Sequence, residues 1–447
     1  MSPPFETGEY DRRLSLVRAE MESRGLSAMV IGDPANINWL TGYDAWSFYT
    51  PQMMLVSLTD GPWWMGRLMD AGAAKFTTRL RPEQVIAYPE ALVQRPDTHP
   101  MDWLADWMGA NGFATARIGY ESDSYFLSPR ALAALQDGLP NASFVDADLL
   151  VNWQRLAKSD AEIAVMEKAA RVAEITMQTA WDGARPGVRQ CDLMADVVAA
   201  QIRGTPDCGG DMPAIHPLIL AGEAATTAHP MWTDAPLVDG QTVAFELGAC
   251  VNRYNVGLAR TVHLGTPPDD LLRTSDAVQE GMTAVMGALK AGVTAGDVHA
   301  AWLAVLNHYG LEKASRIGYS IGAAYAPDWG EHTLSFRANE PTIVPENAVV
   351  LSLLRSVSLL ERDFVSGDWL SDDLDRTKYY EMIKNKKVDF IISKSPINND
   401  FVLLGCVGPK FAGPKQFPWA FRSPLNTTDY YNVIIYYFNS KLLPECI

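Results

Sequence analysis

Cysteine is scarce and scattered in this chain. Cys191, Cys208, Cys250, Cys406 and Cys446 form no CxxC pair and no even framework. That argues against structural disulfides and a zinc cluster, and makes a reducing cytoplasm the expected location. A basic excess is missing as well: the formal net charge is −16, so nucleic acid and anionic membranes are poor partners. Residues 1–13 show no basic-then-apolar leader pattern, and no apolar run approaches the roughly 20 residues that span a bilayer.

Lysine is nearly absent from the first 350 residues, which hold 5 lysines against 20 arginines, whereas residues 351–447 hold 8 against 4. Alanine almost vanishes after Ala348, leaving Ala412 and Ala420, while Asn, Tyr and Ile rise. No repeat or low-complexity tract accounts for the change. It reads as a junction between unrelated coding regions near Val350, with 351–447 a tail of foreign composition. The stretch DYYNVIIYYFN in that tail is apolar, β-prone and low in charge.

What is present suits a globular protein of two domains: 447 residues, 48% hydrophobic and 20% charged. Periodicity predicts a helix over 9–25, strands near 28–33, 52–57, 62–66 and 116–121, and a helix over 101–111. Strands alternating with helices give a mixed α/β domain to about residue 150. Ser159 with Glu162 forms a capping box that opens a second domain and an Ala-rich helix to about Gly183. Helices over 190–203, 271–289 and 298–309 flank two apolar strands within 243–265.

Four constellations could carry chemistry. CGGD frees the backbone for a tight turn that presents Asp211. His229 precedes a proline, so an extended backbone is expected, and histidine is the natural proton-transfer group near neutral pH. Glu246 is a lone carboxylate in the apolar strand VAFELGACV, where burial is costly without a cation, a metal or a donor. It shares its hairpin with Tyr254, Arg260 and Thr261. The fourth is GYSIGAAYAPDWGEHTLSFR, which carries Tyr319 and Trp329 among glycines. Each of these residues also has a structural reading, as a turn cap, a core aromatic or an internal ion pair.

The hairpin resembles the one that bears two bridging aspartates in metal-dependent members of the creatinase/aminopeptidase P superfamily. The positions here are Glu246 and Gly257, and a third ligand, a histidine, corresponds to Tyr319. DPANINWLTGYDAWSFYTPQ, HPMDWLADW, NWQRLAKSDAEI, GGDMPAI, AHPMWTD, FELGACVNRY and YAPDWGEHTLSFR together resemble the ectoine hydrolase family over about residues 10–345. The resemblance implies an α+β protein: a creatinase-type α/β domain over 1–150, then a pita-bread catalytic domain over 151–350 that lacks its last strands.

It implies hydrolysis of the cyclic amidine ring of ectoine, a small zwitterion, with no metal or other cofactor. Asp211 would be the nucleophile or position water, His229 the general acid/base, and Glu246 the partner of the ring cation. Trp46, Phe48, Tyr49, Tyr254, Tyr319 and Trp329 would bind substrate. Trp46, Phe48 and Tyr49 lie in a loop that reaches the partner's pocket in dimeric relatives, so a homodimer is expected. Loss of the last strands would leave sheet edges open and impair activity. Competing readings are an Xaa-Pro-type metallopeptidase and a non-catalytic binding protein of the same fold.

Overall fold

The computed structural model describes residues 3–47, 49–313 and 315–352, together with the backbone of 399–406 and 433–439. The chain divides into two compact units, Met1–Arg155 and Leu156–Ile447. Among the described residues, no helix is long and apolar enough to cross a membrane.

The first unit is a mixed sheet between helices. Its strands β1 (Ala28–Ile31), β2 (Met53–Ser57), β3 (Trp63–Arg67), β4 (Val85–Tyr88), β5 (Arg117–Tyr120) and β6 (Ser143–Asp146) lie in the order β4-β3-β2-β1-β5-β6. Ala28, Val30, Met53 and Leu55 enter one core, while Met29, Ile31, Met54 and Val56 enter the other. Burial on both faces explains why these strands read as unbroken apolar runs. Helix α1 (Thr7–Ser23) stops before Gly25, whose φ is 65°. Helix α2 (Pro34–Thr41) follows β1, with Asp33 capping the N–H groups of Ala35 and Asn36.

The DPAN motif is scaffold within this unit. Buried Glu121 accepts hydrogen bonds from the N–H groups of Gly32 and Asp33 and from Asn36 Nδ2. Asn36 in turn accepts from Arg155 Nη1 at 2.6 Å. That network ties β1 to α6 (Leu150–Arg155) after α3 (Ala71–Thr77), α4 (Pro100–Met108) and α5 (Pro129–Gly138) have been laid down. Leu150 and Val151 join the first core, so the unit ends at Arg155 rather than at 150. Helix α4 is shorter than expected because the backbone departs from helical geometry at Asn111 and Gly112.

In the second unit the capping box forms as read: Ser159 Oγ accepts from the Glu162 N–H, and Glu162 accepts from the Ser159 N–H at 2.9 Å. It opens α7 (Asp160–Gly183), followed by α8 (Gln190–Arg203). Strands β7 (Leu218–Ala221), β8 (Thr242–Val251) and β9 (Tyr254–His263) form an antiparallel sheet in the order β7-β8-β9. Helices α9 (Asp269–Ala288) and α10 (Ala295–Tyr309) come next. The latter starts at Ala295, behind a capping box formed by Thr294 and Asp297.

A second sheet contains β10 (Gly318–Ile321), β11 (Gly330–Phe336) and β12 (Ala348–Ser352), with β10 central. Its backbone continues into β13 (Asn399–Cys406), parallel to β12, and β14 (Val433–Asn439). The edge of β12, expected to lie open after 350, therefore carries a further strand. Near the start of the unit, Lys158 and Glu331 form an ion pair of 2.7 Å, each side chain 1% exposed.

Candidate active site

The hairpin β8–β9 is closed by only two residues. Val251 pairs with Tyr254, and Asn252 and Arg253 both have positive φ (48° and 68°), as a two-residue type I′ turn requires. Arginine is an unusual occupant of such a position. Its N–H is met by Asp211 Oδ2 at 3.4 Å, and its guanidinium lies 5.0 Å from the centre of the Tyr325 ring.

The register assigns the two faces. Glu246 lies opposite Ala259, and Gly248 opposite Gly257, so these four share one face. Trp329 covers the glycine pair: a Cβ at Gly257 would stand 3.0 Å from the indole, and one at Gly248 would overlap it. The buried indole N–H donates to the Tyr319 hydroxyl at 2.8 Å. Glu246 is partly accessible in a strand whose interior is otherwise buried.

Burial raises the Glu246 carboxyl above its ordinary range, and the charge of nearby His229 offsets part of that rise. Among the described residues nothing donates a hydrogen bond to it. Burial, then the Glu246 charge, raises the Tyr319 phenol and keeps it protonated. A desolvated carboxylate, a neutral phenol and an exposed imidazole thus converge. His229 departs from the extended conformation expected before proline, with φ at 67°. A non-glycine residue held there is strained, as residues at functional sites often are.

Other sequence-selected residues lie elsewhere. Asp211 pairs with Cys250, four residues from Glu246 along β8, which is about 13 Å at the rise of a strand. There its carboxylate caps the hairpin turn. Gly210 before it serves close approach rather than turning, since a side chain there would overlap the Gln201 carbonyl. Tyr254 is corrected from a substrate contact to a structural residue. It faces away from Glu246 and donates to Glu162 at 2.8 Å, with 1% of its surface exposed.

Trp46 and Tyr49 belong to the first unit. Trp46 packs edge-on against Phe126, with ring centres 5.8 Å apart, and the Tyr49 hydroxyl accepts from Arg67. Phe48 lies outside the described residues. Sequence reasoning passed over two groups beside Tyr319. Arg316 stacks on its ring, with Cζ 4.1 Å from the centre. Asp328 pairs with His332 at 2.8 Å and accepts from the Gly330 N–H. A charged residue in a glycine-rich loop carries no periodic signal, which is why neither stood out.

The donor set does not suit a dinuclear metal centre. Its second bridging position is Gly257, where the Trp329 indole and Leu351 leave no room for a carboxylate. The histidine position is Tyr319, whose oxygen is engaged by Trp329. Among the described residues, no three His, Cys, Asp or Glu side chains are grouped to hold an ion.

Family comparisons agree with this architecture. The creatinase/prolidase N-terminal domain matches residues 13–157, and metallopeptidase family M24 matches 164–352. Together they define a hydrolase of C–N bonds with the pita-bread fold. The ectoine hydrolase of Halomonas elongata is 39% identical over 351 residues, 77% of this chain and 88% of that protein. An uncharacterized hydrolase/peptidase of Sinorhizobium fredii is 40% identical over 346 residues, again 77% and 88%.

The chain belongs to the creatinase/aminopeptidase P superfamily. Prolidase from Thermococcus sibiricus shares the fold, with a TM-score of 0.65 at 16% identity over 76% of this chain and 88% of that one. A third model, the DUF1420 C-terminal domain, matches residues 335–447, so the tail resembles a family of its own.

Proposed function

We propose that this chain hydrolyses the cyclic amidine ring of ectoine without a metal, giving an N-acetylated 2,4-diaminobutyrate. Glu246 carries the reading. A carboxylate withdrawn from water and given no donor is relieved by a bound cation, and the amidinium ring supplies a planar one. The likeness to the Halomonas elongata enzyme supports the same substrate.

In this reading the nucleophilic role passes from Asp211 to Glu246, because Asp211 serves the hairpin turn. Glu246 attacks the carbon between the two ring nitrogens, or positions the water that does. His229 delivers a proton to the departing nitrogen as the C–N bond breaks. Water supplies the acetyl oxygen and restores the carboxylate. Tyr319, fixed by Trp329, donates its free O–H toward the reacting centre. Gly257 and Tyr319, standing where ligands would be, weigh against an Xaa-Pro metallopeptidase.

The proposal extends to the rest of the chain. Residues 351–447 are a separate sequence joined near Val350, supported by the change in lysine and alanine usage and by the DUF1420 likeness, and the join impairs turnover. The enzyme works in the cytoplasm as a homodimer, in which the loop of Trp46, Phe48 and Tyr49 serves the partner. Incubating the purified 447-residue chain with ectoine, with and without a strong chelator, tests the core of this reading. The expected result is slow release of acetylated diaminobutyrate, unchanged by the chelator. Chelator-sensitive prolyl dipeptidase activity would overturn the assignment, and fast ectoine turnover would overturn the impairment alone.

A further inference from the structure

Hydrolysis of a ring amidine at Glu246 accounts for the cationic half of a zwitterion and leaves its carboxylate unassigned. A zwitterion is held tightly only where both charges are met. A positive group is therefore needed beside Tyr319, whose phenol feels the Glu246 charge.

Arg316 fits that place. Its side chain lies over the Tyr319 ring, Cζ 4.1 Å from the centre, on the tyrosine whose hydroxyl is held by Trp329. It is exposed and, among the described residues, forms no ion pair within 4.0 Å. Asp328, an acid it influences, is already engaged by His332 and the Gly330 N–H. Three other cations of the unit are committed. Lys158 is paired with Glu331, Arg253 stacks on Tyr325 at the hairpin tip, and Arg337 donates to Ser335. Stacking on an aromatic ring pre-orders a guanidinium and leaves its in-plane N–H fork free, which matches a carboxylate.

We propose that Arg316 binds the substrate carboxylate and makes the site selective for zwitterionic cyclic amidines over the same ring without an acid group. This rests on the hydrolase reading of the same site. The test compares ectoine with its decarboxylated ring, 2-methyl-1,4,5,6-tetrahydropyrimidine, in the wild type, Arg316→Met and Arg316→Lys, by steady-state kinetics and by calorimetry. A charge-assisted hydrogen-bond pair predicts that Arg316→Met raises KM and Kd for ectoine about 10- to 100-fold, with kcat almost unchanged. Binding of the decarboxylated ring stays constant, and Arg316→Lys falls between.

Equal loss for both ligands, or no loss for ectoine, overturns the proposal. Arg316-dependent binding of ectoine without turnover upholds the anchor and overturns the hydrolase reading. Turnover indifferent to Arg316 does the reverse, and failure of both rings to bind overturns both.

Discussion

The two faces of the β8–β9 hairpin carry polar groups of similar kind under opposite conditions. On the face toward α7, Tyr254 is bonded to Glu162, and buried Arg260 lies near Glu174. On the other face Glu246 stands beside two glycines and an indole, with no donor among the described residues. Buried polar groups are normally satisfied. The bonded Tyr254–Glu162 pair is therefore architecture, and the donorless Glu246 awaits a ligand. Glu121 of the first unit sharpens the contrast: it is more fully withdrawn from water but takes three donors, and it has no chemistry left to offer.

The largest test of this division is Glu246→Gln. It removes the nucleophile while nearly preserving volume, so ectoine turnover should fall by about 10³-fold or more. The melting temperature should hold or rise, because a desolvated charge is lost. A variant that loses stability and keeps its rate would invert the two faces.

Much of this was readable in advance, and the misreadings have physical causes. The Ser159–Glu162 box and the lone carboxylate at 246 stood out because local chemistry demands them. The role of Tyr254 was misread because parity in a strand depends on turn length. Without the turn length, the sequence does not reveal that Tyr254 already lies in β9, on the α7 side. Asp211 looked catalytic because its glycines suggested a presenting turn. The actual reason for Gly210, the Gln201 carbonyl packed against it, is a tertiary contact without a local signature. The stacking of Arg316 on Tyr319 is likewise a tertiary contact that the sequence does not signal.

A smaller effect is expected from Tyr254→Phe. Its hydroxyl donates to a buried carboxylate, and a hydrogen bond to a charged group contributes about 1.5–3 kcal/mol. Denaturant unfolding should report a loss of that order with an unchanged slope, while kcat and KM for ectoine stay within a factor of about two. A change in KM of tenfold would return Tyr254 to the substrate pocket.

The smallest effect should come from Glu174→Gln, read through pH. Burial pushes Glu174 up to about 8, against the opposing charges of Arg171 and Arg260, and one of its oxygens has no hydrogen-bond partner. A carboxyl raised in the folded state binds its proton more tightly there than in the unfolded chain. The stability this confers is complete below the ordinary carboxylate value and is lost as pH rises through about 8. The wild type should therefore melt at a lower temperature at pH 8.5 than at pH 6. Glu174→Gln should lose part of that difference, retaining the share due to Glu121 and Glu246, which are raised in the same direction. An identical pH dependence in the variant would mean that Arg260 already holds Glu174 ionised, and that the α7 face of the hairpin is an ion pair rather than a buried acid.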